Sequence, residues 1–174
     1  KLPEVGTTIF TTMSALASKH GALNVAQGFP DLSPPSKLKT AVKKAIDDGY
    51  NQYAPMAGDA GLRSWISEMY NKEHGASYNV DSEITIGAGA SSVLFASIQA
   101  LVYPSDEVII VDPAYDLYAP AVHLAGGVII RATIPKSPHL GGPGGAIDVE
   151  SIRNLITEKT KLIIINAPHN PTGA

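Results

Sequence analysis

The sequence of 174 residues contains no cysteine and no surplus of basic side chains. Without cysteine there is no disulfide framework, no thiolate zinc site and no cysteine nucleophile, and we expect a reducing, cytoplasmic location. The 13 basic and 16 acidic residues give a net charge of −3, and no basic run occurs, so we expect no nucleic-acid partner. The longest apolar runs, Val108–Val111 and Leu162–Ile165, are far below the roughly 18–20 residues of a membrane helix, so we expect no membrane contact.

Several sequence motifs of catalysis are also missing. Neither a P-loop nor the G-x-S-x-G motif of α/β-hydrolases occurs, which excludes those two classes of enzyme. No two histidines have the spacing of a metal site, so we predict no metal. We interpret each histidine as a solvated or core residue; they are His20, His74, His123, His139 and His169.

The first part of the chain has the periodicity of helices. Apolar residues recur at helical spacing between Ser36 and the stop signal Gly49, which predicts one amphipathic helix. The same spacing recurs between Asp59, a typical N-cap, and Gly75, a typical helix stop, which predicts a second. No strong strand pattern occurs before residue 58.

From Glu83 onward the pattern changes to short apolar runs separated by helical segments. The predicted strands are "EITI" (83–86), "EVIIV" (107–111), "VIIRATI" (128–134) and "KLIIIN" (161–166). The predicted helices are "SSVLFASIQALV" (91–102), "YDLYAPAVHLA" (115–125) and "DVESIRNLITEK", with Asp148 as N-cap. Apolar strands joined by crossover helices predict an α/β fold with a doubly wound, mostly parallel sheet. The Gly- and Pro-rich stretch Ser137–Ala146 is predicted to be a surface loop.

Three segments follow strands, where ligands bind in open α/β sheets. "GAGASS" (87–92) opens a helix, and its small residues favour either a phosphate site or a simple tight turn. "DPAYDLY" (112–118) follows the next strand, and Asp112 lies roughly where a nicotinamide-dinucleotide fold has its ribose-binding acid. "NAPHNPTG" (166–173) follows the last strand, and Pro171 biases Asn170 toward an extended, fixed conformation.

Taken together and in order, five segments resemble the class I/II aminotransferases of the pyridoxal-phosphate fold-type I group. The segments are "NVAQGFPD" (24–31), "NQYAPMAGDAGLR" (51–63), "GAGAS", "DPAYDLYAP" and "NAPHNPTG". The kynurenine/glutamine and bacterial methionine aminotransferase branch is the most similar within that group. The resemblance covers almost the whole chain.

The resemblance implies a cofactor, pyridoxal 5'-phosphate (PLP), and a set of residues around it. Gly89, Ala90 and Ser91 match the turn that binds its phosphate, and Tyr115 matches the aromatic that stacks on its ring. Asn170 matches the asparagine that hydrogen-bonds the ring oxygen, with Asn166 alongside. Tyr53 matches a tyrosine that reaches the phosphate of the other subunit, which implies a homodimer with shared sites. Phe10 and Gly28 match positions beside the substrate.

The resemblance also implies residues that this sequence does not contain. The family's Schiff-base lysine, the aspartate that pairs with the pyridine nitrogen and the arginine that grips the substrate all follow the H-N-P-T-G motif, so we expect their counterparts beyond Ala174 and no catalytic residue before it. We therefore expect these 174 residues to be an N-terminal part of such an enzyme and to be inactive alone. The implied substrates are a 2-oxo acid and an L-amino acid of the methionine, aromatic, glutamine or kynurenine type.

The resemblance also predicts the domains and two backbone features. Residues 1–57 match an N-terminal arm and small-domain segment, and residues 58–174 the first part of the PLP-binding large domain. The bonds Asp112–Pro113 and Asn170–Pro171 are predicted to be cis, against a general frequency of only about 5–6% for X–Pro bonds. The alternatives left open are a PLP-dependent cysteine-S-conjugate β-lyase, a nicotinamide dinucleotide-binding domain and a catalytically dead structural fragment.

Overall fold

The computed structural model describes residues 6–28, 30–134 and 145–173, and these form two compact units. One unit is Phe10–Ala88, and the other runs from Gly89 onward together with the residues before Phe10. The predicted domain boundary after residue 57 lies inside the first unit and stays a prediction. No helix of the described residues is long and apolar enough to cross a membrane.

The first unit carries three helices and, in its described residues, no strand. They are α1 (Ile9–Lys19), whose first residue belongs to the other unit, α2 (Ser36–Asp47) and α3 (Ala60–His74). The Asp59 carboxylate accepts a hydrogen bond from the Leu62 backbone N–H at 2.8 Å, which caps α3. Gly75 ends the helix at a φ of 66°, a left-handed conformation that glycine adopts without strain. Both predicted helices are thus confirmed, with their predicted start and stop residues.

The second unit is built on a parallel sheet of three strands. They are β1 (Glu107–Asp112), β2 (Val128–Thr133) and β3 (Thr160–Ile164), in the order β2-β1-β3. Three helices precede or connect them: α4 (Ala90–Leu101), α5 (Tyr118–Ala125) and α6 (Val149–Arg153). Because β1 lies in the middle, both of its edges are paired with a neighbouring strand.

Successive side chains of β1 lie on opposite faces of the sheet, and this divides the core into two clusters. Val108 and Ile110 pack with Ile98 of α4 and Val122 of α5 on one face. Ile109 and Val111 pack on the other face with a cluster that includes Ile152 of α6. All four strand residues are at most 4% exposed, and each fully buried aliphatic side chain contributes roughly 1.5–3 kcal/mol. The helices therefore lie on both faces, and the doubly wound α/β fold is confirmed.

Three details differ from the sequence-based expectation. Residues 83–86 form no strand, because no strand of the described residues pairs with them, although Ile84 and Ile86 are half-buried and Thr85 is exposed. The helix after Asp148 is confirmed with its predicted N-cap but ends at Arg153. The helix predicted from residue 115 begins at Tyr118, because residues 113–117 form an irregular turn between β1 and the helix.

Several sequence-based predictions fall on residues outside the described part of the chain, among them the interpretation of His139 as a solvated or core residue. The predicted surface loop lies outside it up to residue 144. Ala174, the last residue of the predicted large-domain segment, lies outside it as well. The expectation that the Schiff-base lysine follows Ala174 concerns residues beyond this sequence and stays a prediction.

Candidate functional site

Six of the sequence-predicted site residues belong to the second unit, in three segments around the sheet. Tyr115 follows β1, and Asn166 and Asn170 follow β3, its parallel neighbour. The carboxyl ends of parallel neighbours lie at one edge of a sheet. Gly89, Ala90 and Ser91 open α4, which ends at Leu101, six residues before β1 begins. A Cβ built on Gly127, just before β2, would lie 2.8 Å from Val102 Cγ1, so α4 ends beside the amino end of β2. Since Leu94 and Ile98 belong to one core cluster with Val108 and Ile110 of β1, we infer that the N-terminus of α4 is directed toward the carboxyl edge of the sheet.

The turn at Gly89 leaves backbone donors open to solvent. Gly89 is the N-cap of α4 with φ 84° and ψ 159°, and a Cβ built on it would meet nothing within 4 Å. Its carbonyl oxygen accepts a hydrogen bond from the Ser92 hydroxyl at 2.9 Å. The backbone N–H groups of Ala90 and Ser91 lie in the first helical turn, where they have no intrahelical partner, and the helix dipole is positive there. An anion fits this arrangement.

Tyr115 is held by a second tyrosine that the sequence interpretation left without a role. The Tyr115 ring is half-buried and packs edge-on against Tyr118, with ring centroids 5.8 Å apart and an interplanar angle of 71°. The Tyr118 backbone N–H donates to the Tyr115 carbonyl at 3.2 Å, and its side chain is only 8% exposed. A flat ring of this kind can offer a face to an aromatic ligand.

An ion pair links the last residue of β1 to β2. Arg131 Nη1 donates to Asp112 Oδ2 at 2.6 Å. The register explains the contact, because Arg131 lies opposite Ile110 and Asp112 is two residues further along the same face. Asp112 thus has an arginine partner at one of its two carboxylate oxygens.

The segment after β3 contains two asparagines around a buried histidine. Asn166 is half-buried and Asn170 is exposed. His169 is 4% exposed, and its Nδ1 lies 2.9 Å from the Thr172 hydroxyl. The Gly173 N–H donates to the His169 carbonyl at 2.6 Å, which closes the turn. His169 therefore anchors the segment, and its burial agrees with the core interpretation.

The predicted backbone isomers are confirmed. Both Asp112–Pro113 and Asn170–Pro171 are cis, and Ala167–Pro168, which was not predicted, is cis as well. All three bonds lie in the segments that follow β1 and β3.

The other three sequence-predicted residues belong to the first unit. Tyr53 lies in an irregular segment between α2 and α3, and its side chain is fully exposed. Phe10 is half-buried in the first turn of α1, and Gly28 lies in an exposed irregular segment. Within the first unit these residues belong to three separate segments.

The chemistry of the six residues in the second unit fits PLP. Backbone N–H groups at a helix N-terminus suit a phosphate, a half-buried aromatic ring suits a pyridine ring, and an asparagine amide suits a ring oxygen. A metal site has no comparable support, since the described residues contain no group of three or more His, Asp or Glu side chains placed to hold an ion.

Comparisons with known proteins agree with this chemistry. The model of the family "Aminotransferase class I and II" matches residues 21–174. Methionine aminotransferase of Escherichia coli K12 is 45% identical over 99% of this chain and 43% of its own length. Kynurenine–oxoglutarate transaminase of Dictyostelium discoideum is 37% identical over 97% of this chain and 41% of its own length.

A solved structure extends the likeness to the fold. The N-succinyldiaminopimelate aminotransferase of Mycobacterium tuberculosis superposes with a TM-score of 0.90 at 39% identity, over 99% of this chain and 44% of that chain. The solved neighbours have the PLP fold-type I architecture. The chain thus spans less than half the length of the curated relatives it matches. From the matched residues and the shared fold, the chain belongs to the class I and II aminotransferase family.

Proposed function

We propose that this chain is the N-terminal part of a PLP-dependent aminotransferase that exchanges an amino group between an L-amino acid and a 2-oxo acid. The observation that carries the proposal is the grouping in one unit of an open helix N-terminus, a half-buried tyrosine and a fixed asparagine. Each suits a different part of PLP, and the family match supports the same cofactor.

Each residue has a distinct role in this proposal. The N–H groups of Ala90 and Ser91 bind the phosphate, and Gly89 keeps the approach to them free of a side chain. Tyr115 stacks on the ring, a contact worth about 0.5–1.5 kcal/mol beyond the buried area. Asn170 donates its amide N–H to the ring oxygen, with Asn166 beside it. When bound, PLP supplies an electron sink for the substrate's α-carbon.

In this proposal, residues of the first unit contact the second subunit and the substrate. Tyr53 extends from its exposed segment to the phosphate site of a second subunit, so the active protein is a homodimer. Phe10 and Gly28 lie beside the substrate. The proposed amino acids are of the methionine, aromatic, glutamine or kynurenine type, since one relative is named a methionine aminotransferase and another a kynurenine transaminase. We also propose a cytoplasmic location, which the lack of cysteine favours.

The alternatives have less support. The reported relatives are all named as aminotransferases or transaminases, which favours transfer over β-elimination. A nicotinamide cofactor is disfavoured because the family match is to aminotransferases.

The test uses the intact protein, purified without cofactor. Titration with PLP, followed by absorbance, is expected to show saturable binding, and methionine, phenylalanine, glutamine and kynurenine are then assayed as donors to 2-oxo acids. Tyr115→Leu is expected to weaken PLP binding by up to about tenfold. Tyr103→Leu is the matched control, because Tyr103 is an exposed tyrosine before the amino end of β1. Binding of a nicotinamide dinucleotide in place of PLP would refute the proposal.

A further inference from the structure

The segment that carries Tyr53 runs from α2 to α3 and is attached at both ends. At its start, the Tyr50 N–H donates to the Ala45 carbonyl of α2 at 2.9 Å, and the Asn51 N–H donates to the Gly49 carbonyl at 2.8 Å. Between these bonds and Ala57, Tyr53 and Met56 are fully exposed. The position of the Tyr53 side chain therefore depends on the two ends of the segment.

The second end is a close contact between two backbones. The Ile86 N–H donates to the Ala57 carbonyl at 3.0 Å. Gly58 is buried with a φ of 95°, and a Cβ built on it would lie 2.5 Å from Ile86 Cβ and 2.6 Å from Ile86 Cγ1. No side chain fits there unless the two segments separate. We call these three residues, Ala57, Gly58 and Ile86, the Gly58 clamp.

Ile86 can serve as a fixed support because the residues before it are tied to α3. Arg63 is 8% exposed, and its Nη1 donates a hydrogen bond to the Val80 carbonyl. The Ser67 hydroxyl donates to the Tyr78 carbonyl at 2.7 Å. Two side chains of α3 thus hold the segment that leads to Ile86.

We propose that the Gly58 clamp is a positioning element that places Tyr53 for its contact with the cofactor phosphate. The proposal rests on the proposed function, since it takes PLP as the ligand. Gly58 touches no cofactor itself; it acts through five residues of chain, and separation of the clamp moves the Tyr53 hydroxyl. A misplacement of about 1 Å can lower the rate of a catalysed reaction by roughly 100-fold.

The chain contains a matched control for this proposal. Gly49 has a φ of 91°, close to that of Gly58, and lies four residues before Tyr53, but a Cβ built on it would meet nothing within 4 Å. Gly49→Ala and Gly58→Ala therefore impose similar backbone strain at the two ends of one segment. They differ in the clash with Ile86.

The experiment measures the dissociation constant for PLP and the unfolding temperature of the cofactor-free intact protein. Gly58→Ala is expected to raise the dissociation constant by about tenfold or more, as for loss of a hydrogen bond to a charged group, and Gly49→Ala by less than about threefold. Equal effects of the two substitutions on PLP binding would overturn the proposal. A fall in unfolding temperature with unchanged PLP binding would do the same, since it would show a structural role alone.

A double-mutant cycle separates positioning from general damage. Once Tyr53→Phe has removed the hydroxyl, Gly58→Ala is expected to raise the dissociation constant by less than about threefold, because neighbours that act together are not additive. Full additivity would contradict the proposal. If Gly58→Ala fails to fold, Ile86→Ala decides the question, since it removes Cγ1, one of the two Ile86 atoms nearest to Gly58, without straining the backbone. It is expected to weaken PLP binding, and to do so less in the Tyr53→Phe background; an unchanged constant would overturn the proposal.

The outcomes also distinguish the role of the Gly58 clamp from the proposed function. An intact wild-type protein that binds no PLP would overturn the proposed function and the role of the clamp with it. A wild type that binds PLP, with variants that behave as the control does, would overturn the clamp alone.

Discussion

The two units of the molecule differ in what they bury. All twelve buried hydrophobic residues of the described part of the chain belong to the unit from Gly89 onward, where they form the two clusters on either face of β1. Among the described residues of Phe10–Ala88, the buried side chain is that of Arg63, which is polar. Leu38, Val42 and Ile46, the apolar face of α2, remain 55%, 52% and 55% exposed.

The difference separates local from tertiary causes of structure. The helices of the first unit follow from spacing, caps and stops, which act within a few residues. Their apolar faces have the pattern of core-facing helices, yet they pack on no core in the described residues. The second unit adds tertiary burial, and this gives its strands and helices a defined register. We therefore expect substitutions to have unequal effects in the two units.

The largest expected effect concerns catalysis by the 174 residues alone. With PLP and methionine or phenylalanine, this chain is expected to show no transamination. In the described part of the second unit, Lys159 and Lys161 lie at the amino end of β3, opposite the edge that carries Asn166 and Asn170. No lysine of that part is therefore placed to form a Schiff base. Turnover above that of free PLP would break the account.

The next effect is on the free energy of unfolding, and it contrasts a buried apolar residue of the second unit with an exposed apolar residue of the first. Ile110→Ala is expected to lower the free energy of unfolding by about 2–5 kcal/mol, because it leaves a cavity in the middle strand. Val42→Ala, on the exposed face of α2, is expected to change it by less than about 0.5 kcal/mol. Denaturant titration of the 174-residue chain measures both. Comparable losses would mean that α2 is covered after all.

A smaller effect is expected at Asn170 in the intact protein. The hydrogen bond that we propose between its amide and the cofactor's ring oxygen favours the ionised oxygen, and bonds to charged groups are worth about 1.5–3 kcal/mol. Asn170→Ala should therefore raise the pH midpoint of the bound cofactor's absorbance change by about one to two units at most. PLP should remain bound through the phosphate turn.

The control for this titration is Asn154→Ala, because Asn154 is an exposed asparagine at the end of α6 in the same unit. Its midpoint is expected to equal that of the wild type. An unchanged midpoint in Asn170→Ala would reduce Asn170 to a turn residue.

The smallest effect concerns the cap of α6. The Ser151 hydroxyl donates to Asp148 at 2.5 Å and the Glu150 N–H at 3.0 Å, and these hydrogen bonds, that of Ser151 first, lower the pKa of the Asp148 carboxyl. A carboxyl whose pKa is lower in the folded state stabilises the fold above its unfolded pKa, and this stabilisation is lost as the pH falls through the folded value. Asp148→Asn should thus be slightly less stable than the wild type at neutral pH.

The difference between Asp148→Asn and the wild type should shrink in acid, as measured by unfolding at a series of pH values. A constant difference for Asp148→Asn at all pH values would show that the carboxyl charge is not involved.

Sequence alone predicted the elements whose signals are local. The caps Asp59 and Asp148 and the stop Gly75 mark helix ends through bonds within a few residues. Apolar runs predicted β1, β2 and β3; β1 is buried on both faces, and β2 and β3 beside it are partly buried. Residues 83–86 have the same composition, but a strand also needs a pairing partner, and that is a tertiary property.

The candidate site divides in the same way. The small residues at Gly89 and the proline after Asn170 predicted their turns from local chemistry. The pairing of Arg131 with Asp112 depends on the register of β1 and β2, which the sequence does not specify. Once β1 is aligned with β2, residues 112 and 131 fall on one face, and the ion pair follows.

The central claim is that the second unit holds PLP with three of its segments. The most direct measurement is a crystal structure of the intact protein grown with PLP. The account predicts the phosphate within about 2.7–3.2 Å of the Ala90 and Ser91 nitrogens, the ring against Tyr115 and the Asn170 amide at the ring oxygen. Cofactor bound elsewhere, or a phosphate that does not contact the first turn of α4, would contradict it.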